Sequence, residues 1–262
     1  MDAILWQFHH LLRTVPGGGR IIMNGADENL RQLVGQGCWT PIETFSTADD
    51  TDWTARFGDK VERHIGMRGP GGRAAEARWK IGGLYNLENA LAAVAAAASA
   101  GVSLEQAVDS MSRFEGVKRR MERTATVANI AIYDDFAHHP TAIEKSIRSM
   151  RKRYPGHRVV VAIEPRSNTM KLGVHNELLA DSLRDADLVW MFRPEGMPED
   201  FEDNLQSLGG KLRLFDDYDR LVNDMSTRVL GGDQVVFMSN GGFGSARQTL
   251  TALLQRTRGG QS

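Results

Sequence analysis

The sequence predicts an α/β fold with a mostly parallel sheet in its second half, and three observations carry the prediction. Beyond Gly116, apolar runs of strand length alternate with segments of helical periodicity, the order that builds a parallel sheet covered by helices. One run, Arg158 to Ile163, is continuously apolar after its first residue, as expected of a strand buried on both faces. The densest polar clusters stand just after such runs, at strand ends, where open α/β sheets hold ligands.

In chain order, Ala3 to Thr14 has apolar residues at helical spacing and stops at Pro16-Gly17-Gly18-Gly19. Arg20 to Asn24 predicts a short strand, Asp27 to Gly35 a helix, and Trp39 to Phe45 a strand. Ser46 to Arg78 is polar and Gly-rich, which predicts short antiparallel strands and loops. Asn86 to Ala100 reads as a helix. Its alanine-rich run, Ala90 to Val102, is too short to span a bilayer and suits close internal packing. Ser103-x-x-Gln106 predicts a capping box for a helix ending near Phe114-Glu115-Gly116.

After Gly116 the character changes, which places a boundary near Lys118 and divides residues 1–118 from 119–262. Val127 to Tyr133 predicts a strand. Pro140 can open a helix, with Thr141-x-x-Glu144 as its cap. After the Arg158 strand come a helix (Asn176 to Arg184), a strand (Leu188 to Phe192) and a helix (Asp217 to Asp224). A strand (Gln234 to Ser239) and a final helix (Ala246 to Arg256) complete the order.

Composition excludes several classes. The formal net charge is -1, so no general attraction to nucleic acid is expected. The single cysteine, Cys38, cannot form an internal disulfide, which fits a reducing cytoplasm. The N-terminus has no basic stretch before an apolar core, so neither a secretory signal nor a membrane partner is expected. His9-His10 and His138-His139 are adjacent pairs without zinc-ligand spacing, and no metal site is assigned. The phosphate loop G-x-x-x-x-G-K-[ST] is absent; Gly210-Lys211 is followed by Leu212, which has no hydroxyl.

Three strand-end segments could carry chemistry. In Tyr133-Asp134-Asp135-Phe136-Ala137-His138-His139-Pro140, two carboxylates could accept from ribose hydroxyls and two imidazoles could contact phosphate or a base. The following helix N-terminus favours anions. The plain alternative is a turn-capping aspartate beside exposed histidines. Glu164-Pro165-Arg166-Ser167-Asn168-Thr169-Met170-Lys171 offers a forked cation and a point charge, or else a solvated loop. Ser239-Asn240-Gly241-Gly242-Phe243-Gly244 allows close backbone approach to a ligand, or else is only a tight turn. Asn86 and Asn89 share a helix face; spacing alone favours one as the N-cap over an adenine contact. Arg119 and Arg120 taken alone read as a solvated charge run.

Taken together, these segments resemble the Mur ligase family. Asn86-Leu87-Glu88-Asn89-Ala90-Leu91 resembles its adenine-side helix start. Gly116-Val117-Lys118-Arg119-Arg120-Met121-Glu122 resembles its interdomain arginine motif, and Asp134 to Thr141 its C-terminal nucleotide motif. Gln7-Phe8-His9-His10-Leu11, Glu164 to Gly173 and Ser239 to Gly244 resemble the branch that acts on murein peptides. Two departures stand out: Tyr85 where the family more often has histidine, and Ser245-Ala246-Arg247 in place of a small-hydrophobic-His continuation.

The resemblance implies the tail of a central ATPase domain (residues 1–118, without its phosphate loop) followed by a Rossmann-like C-terminal domain (119–262). The UDP-sugar domain, phosphate loop and main Mg²⁺ ligands would then precede Met1, so no catalytic residue is assigned and the chain alone is expected to be inactive. The implied activity is ATP-dependent joining of a murein tripeptide, L-Ala-γ-D-Glu-meso-diaminopimelate, to UDP-N-acetylmuramate through an acyl phosphate. By the same resemblance, Asn86, Asn89, Arg120, Asp135, His138 and His139 would bind ATP, with Asp135 on the ribose. Arg166, Ser167, Asn168, Lys171, Ser239, Asn240, Gly241 and Gly242 would face the peptide. A separately made N-terminal half would be a partner. The alternatives are a non-catalytic module binding nucleotide or muropeptide, and a sister ligase adding a single amino acid.

Overall fold

The structure, a computed structural model, describes residues 2–48, 50–165, 176–197 and 199–259. The chain divides into two compact units, Met1–Glu115 and Gly116–Ser262.

The first unit runs α1 (Asp2–Thr14), β1 (Ile21–Asn24), α2 (Glu28–Gly35), β2 (Ile42–Ser46), β3 (Trp53–Phe57), β4 (His64–Arg68), β5 (Ala74–Arg78), α3 (Leu84–Ser99) and α4 (Leu104–Met111). Its sheet has the order β1-β2-β3-β4-β5. The pairs from β1 to β3 are parallel, and those from β3 to β5 antiparallel. Alternate residues of β3 and β4 (Trp53, Ala55, Ile65, Met67) pack against Leu87, Leu91, Val94 and Ala95 of α3 and Leu104 and Val108 of α4. The alanine run lets α3 lie close to the sheet.

The capping box on α4 is present in both directions, with Ser103 and Gln106 exchanging hydrogen bonds with each other's backbone. α4 nevertheless stops at Met111, because Ser112 to Phe114 turn back onto Asp109, Ser110 and Met111 carbonyls. The second strand begins at Ile42 rather than Trp39, whose indole N–H instead donates to the Val15 carbonyl at 3.1 Å. Neither asparagine caps α3: the N-cap is Gly83 at φ 98°, and its N–H donates to the buried Glu62 carboxylate at 2.6 Å. A positive φ of that kind suits glycine at the cap.

The second unit runs β6 (Glu122–Val127), β7 (Ile130–Asp135), α5 (Pro140–Arg153), β8 (Val159–Glu164), α6 (Asn176–Ser182), β9 (Leu188–Phe192), β10 (Leu212–Phe215), α7 (Tyr218–Arg228), β11 (Gln234–Ser239) and α8 (Ala246–Arg258). The sheet order is β10-β9-β8-β11-β7-β6, parallel except for the β6–β7 hairpin. β11, the last strand in sequence, is thus inserted between β7 and β8. Every residue of β8 is buried, as its continuous apolar run predicts, and so is every residue of β11.

The two faces of this sheet are covered separately. One carries Ile143, Ile147 and Met150 of α5, Leu179 and Ala180 of α6, and the stretch with Phe201, Leu205 and Leu208. The other carries Leu221, Val222 and Met225 of α7 and Ala246, Leu250 and Leu254 of α8. Among the described residues, no helix is long and apolar enough to cross a membrane.

Two further expectations need correction. The segment Val127 to Tyr133 is not one strand but the turn of a hairpin: Val127 pairs with Ile130, with Ala128 and Asn129 between them at φ 47° and 60°. The helix after Pro140 takes His139 as its N-cap without a side-chain bond, so Thr141 and Glu144 form no capping box. Proline at the first helical turn fixes the start by its own φ. The strand β10 was not anticipated.

Positive φ at both central residues of a two-residue hairpin loop is the geometry that favours glycine or asparagine. Ala128→Gly should therefore raise the unit's stability by about 0.5 kcal/mol, the relief of left-handed alanine less the entropy of glycine. A denaturant midpoint that falls instead would show that the turn is not under this strain.

Candidate functional site

Side chains alternate between faces along a strand, so the two aspartates ending β7 point apart. Asp135 faces α5. It is 2% exposed, and its carboxylate accepts from the Ser146 hydroxyl at 2.5 Å and from the backbone N–H groups of Ala137 and Met121. Burial pushes its pKa above the ordinary 3.8, against these donors and the nearby Arg120 charge. Asp134 faces α8 and lies 3.5 Å from both Arg119 and Arg247. Of the pair, Asp134 is the carboxylate that lines open space. Asp135 instead holds the loops around it.

Arg119 joins three segments. Its guanidinium donates to the carbonyls of Ser239 at 2.7 Å and Gly241 at 2.5 Å, beyond the end of β11. Its own carbonyl accepts the Phe136 N–H at 2.7 Å, beyond the end of β7. Arg119 and Met121 both have positive φ (59° and 49°), a sharp course that sends Arg119 and Arg120 back over the sheet end. The guanidinium carbons of both arginines sit 5.3 Å from the Phe136 ring centre, within cation–π range. Arg120 is exposed, and its side chain makes no hydrogen bond or ion pair among the described residues. His138 is half-buried, with Nδ1 2.8 Å from the Phe136 carbonyl, and His139 is exposed at the start of α5.

The glycine turn is anchored from beneath by Glu164, the last residue of β8. This carboxylate is 1% exposed. The Tyr218 hydroxyl donates to one of its oxygens, and the Ser239 hydroxyl to the other at 2.6 Å. Ser239 Oγ in turn accepts the Gly241 N–H at 2.9 Å. Phe243, Gly244 and Ser245 then run through three successive positive φ values (50°, 52° and 62°) into α8. At Gly244 the left-handed turn also meets the Tyr218 ring, so that any Cβ would collide with it. Tyr218 is fixed there by stacking on Phe192, centroids 4.0 Å apart.

The structure therefore brings together Arg120, His138, His139, Ser239, Asn240, Gly241 and Gly242 at the carboxyl end of one sheet, with Asp135 underneath. Asn86 and Asn89 belong to the first unit, on α3. Asn86 is half-buried, its amide donating to the Gly82 carbonyl at 2.7 Å, and Asn89 is exposed. Arg166, Ser167, Asn168 and Lys171 lie outside the described residues. Sequence reasoning missed Arg119 and Glu164 as the residues that set the turn. The available signal was a charged residue closing an otherwise apolar strand, and an arginine pair of which only one member could face outward.

A cleft of about 200 Å³ opens on the α8 side, lined by Lys118, Arg119, Asp134, Ser239, Gly241, Gly242 and Arg247 among others. A family model described as "Mur ligase, glutamate ligase domain" matches residues 119–241, the segment that contains Arg119, Asp134, Asp135, Glu164 and Ser239. The chain belongs to the Mur ligase family. Members of that family are ATP-dependent ligases that form amide bonds. The chain is 34% identical over 251 residues to the UDP-N-acetylmuramate–L-alanyl-γ-D-glutamyl-meso-2,6-diaminoheptandioate ligase of Haemophilus influenzae, covering 95% of this chain and 55% of that protein. The Escherichia coli K12 ligase of the same name is 36% identical over 253 residues, covering 95% and 54%. The crystal structure of a murein peptide ligase from Psychrobacter arcticus 273-4 superposes with a TM-score of 0.71 at 37% identity, covering 97% of this chain and 55% of that one. The chain thus spans about half the length of the relatives it matches.

Two measurements probe this geometry. Gly244→Ala should destabilise the second unit by about 2 kcal/mol, combining left-handed strain with a displaced ring. Adding Tyr218→Ala should make the double variant less than additive. Full additivity in the cycle would mean that the ring does not restrict this glycine.

Asp135 has a raised pKa, so the folded chain keeps its proton to higher pH than the unfolded chain does. Its contribution to stability is greatest at low pH and declines as pH rises from about 3.8 through the folded value. Compared with Asp135→Asn, which cannot titrate, wild type should lose stability over that interval. Parallel stability–pH curves for the two proteins would contradict the burial argument.

Proposed function

We propose that this chain is the C-terminal portion of an ATP-dependent ligase that joins the murein tripeptide L-Ala-γ-D-Glu-meso-diaminopimelate to UDP-N-acetylmuramate, in recycling of the cell wall in the cytoplasm. The observation that carries the reading is identity of 34% and 36%, across 95% of the chain, with two ligases named for that reaction. In the proposed reaction ATP phosphorylates the lactyl carboxylate of the sugar nucleotide. The tripeptide amine then attacks the acyl carbon, loses its proton and expels phosphate.

In this reading residues 1–118 complete a central ATPase domain and residues 119–262 form the closing domain. The chain's own task is to position anions, which supplies much of the catalysis in phosphoryl and acyl transfer. In the second unit Arg120, whose side chain makes no hydrogen bond or ion pair among the described residues, and His138 and His139 would bind the nucleotide; in the first unit Asn86 and Asn89 are proposed as nucleotide contacts. Asp135 would act beneath them by fixing Met121 and Ala137 rather than by reaching a ribose itself. Ser239, Asn240, Gly241 and Gly242 would face the peptide, together with Arg166, Ser167, Asn168 and Lys171. Among the described residues no cluster of three or more carboxylate, imidazole or thiol groups could hold a metal ion. On the family resemblance Mg²⁺ is proposed to be held outside this chain, and no step is assigned to it here.

A chimera tests the reading. The 262-residue chain is fused behind the matching front portion of the Escherichia coli relative, and ADP release is followed with each amine substrate. The chimera should turn over with the tripeptide and not with L-alanine, while the chain by itself should show no ligation. Arg120→Ala in the chimera should raise the KM for ATP by about tenfold, the worth of one charge-assisted contact. Turnover with L-alanine in place of the tripeptide would reassign the chain to a single-amino-acid ligase. Binding of ADP and tripeptide by the chain, with an inert chimera, would favour a non-catalytic module.

A further inference from the structure

The outer face of the first unit's sheet carries a glycine that the fold does not require. Trp53, Ala55, Ile65 and Met67 turn inward from β3 and β4, so Thr54, Arg56, Gly66 and Arg68 turn outward. The strand register sets Arg56, Gly66 and Glu76 side by side in one row, and Thr54, Arg68 and Ala74 in the next. Gly66 is not left-handed, and a Cβ added there would make only ordinary contacts, 3.6 Å from Glu76 and 4.0 Å from Arg56. Glycine inside a strand is costly, and it often marks a place where a ligand approaches the backbone. Here the missing side chain leaves a notch of about 130 Å³, walled by Thr47, Thr54, Arg56, Arg68 and Glu76 among others.

The charges around the notch are unspent. Arg56, Arg68 and Arg78 are exposed, and their side chains make no ion pair or hydrogen bond among the described residues. Elsewhere in this unit Arg20, Arg31 and Arg113 each find a carboxylate. Arg78 stands diagonal to Gly66 and opposite His64, which is itself engaged 2.6 Å from Asp59. Strand spacing puts all three arginine positions about 5–8 Å from Gly66. Glu76 is the one carboxylate in the lining, so with Arg78 beside it the notch has two positive charges unbalanced. Like charges crowded on one sheet face repel, and a bound anion relieves them. Guanidinium forks suit both phosphoryl and carboxylate oxygens, but an excess of two matches a phosphoryl dianion rather than a single carboxylate. The notch is too small for a nucleotide, whose pockets run from roughly 300 Å³ upward, and suits one tetrahedral group.

We propose that this notch binds a phosphoryl group, with Arg56 and Arg68 as forked donors, Arg78 as a further charge and Gly66 as the open floor. The Thr54 hydroxyl has no partner among the described residues and adds a neutral donor. The ligand is defined by this group, carried either by inorganic phosphate or by a small phosphomonoester. The site lies wholly within the first unit and does not depend on the ligase reading.

The test uses the full 262-residue chain at constant ionic strength and about pH 8, where a phosphomonoester is fully ionised. Backbone amide and arginine Nε NMR signals are followed during separate titrations with inorganic phosphate, glycerol 3-phosphate and succinate. At least one of the two phosphates should move the Gly66 amide and the Arg56 and Arg68 Nε signals, and the tighter of them identifies the carrier. Succinate should bind about tenfold more weakly, and Arg56→Gln and Arg68→Gln should each weaken phosphate binding by about tenfold. Gly66→Ala should keep or raise the denaturant midpoint while weakening phosphate binding by about threefold. The site is overturned if neither phosphate moves these signals, if succinate binds as tightly, or if the arginine variants bind phosphate as well as wild type does. A fallen midpoint in Gly66→Ala, or unchanged binding by it, would equally overturn the role of the glycine as the floor of a site.

Discussion

Glu164 is 1% exposed at the end of β8, and a carboxylate that deep costs several kcal/mol unless donors meet it. Tyr218 and Ser239 supply those donors, from α7 and from the end of β11. Once they do, little else at this end of the sheet is free to move. Ser239 fixes the Gly241 N–H, Arg119 fixes the carbonyls of Ser239 and Gly241, and the linker before β6 is drawn over the strand ends. The glycine turn is therefore held on both sides of its backbone, by a hydroxyl below and a guanidinium above. A ligand meeting Gly242 would find a surface already in place, with little ordering entropy to lose on binding.

The pleat of β7 divides the work of the two adjacent aspartates. Asp135 goes down into the α5 face and ties Met121, Ala137 and Ser146 together. Asp134 goes to the α8 face and tempers the charge of Arg119 and Arg247. The motif thus carries a scaffold residue and a solvent-facing residue side by side, and strand alternation assigns which is which. The same parity places Glu164 and Ser239 on the α8 face, which is why the glycine turn and the basic cleft open together.

Much of this was legible from residue patterns alone. The apolar run of β8 announced a strand buried on both faces, and the polar clusters stand, as read, at the carboxyl ends of strands. Ser103 and Gln106 announced a capping box that forms. The β6–β7 hairpin was not legible, because Ala128 and Asn129 take positive φ without the glycine that usually reveals such a turn. The role of Asn86 was misread for a related reason: Gly83, three residues earlier, makes the left-handed entry, and Glu62 satisfies its N–H from elsewhere in the chain. For Arg119 and Glu164 the local pattern marked the residues but not their partners. Their partners lie 120 and 75 residues away in sequence, and only the insertion of β11 between β7 and β8 brings them into register.

That insertion has a kinetic corollary. Neither β7 nor β8 can complete its hydrogen-bond ladder until Gln234 to Ser239 arrives, so the two flanking pieces of sheet wait with open edges while most of the domain already exists. Closure by β11 makes assembly strongly non-local, a topology expected to fold slowly and to follow synthesis of the segment through Ser239. The keystone strand also delivers the glycine turn, so the cleft beside it is created in the same event that locks the sheet.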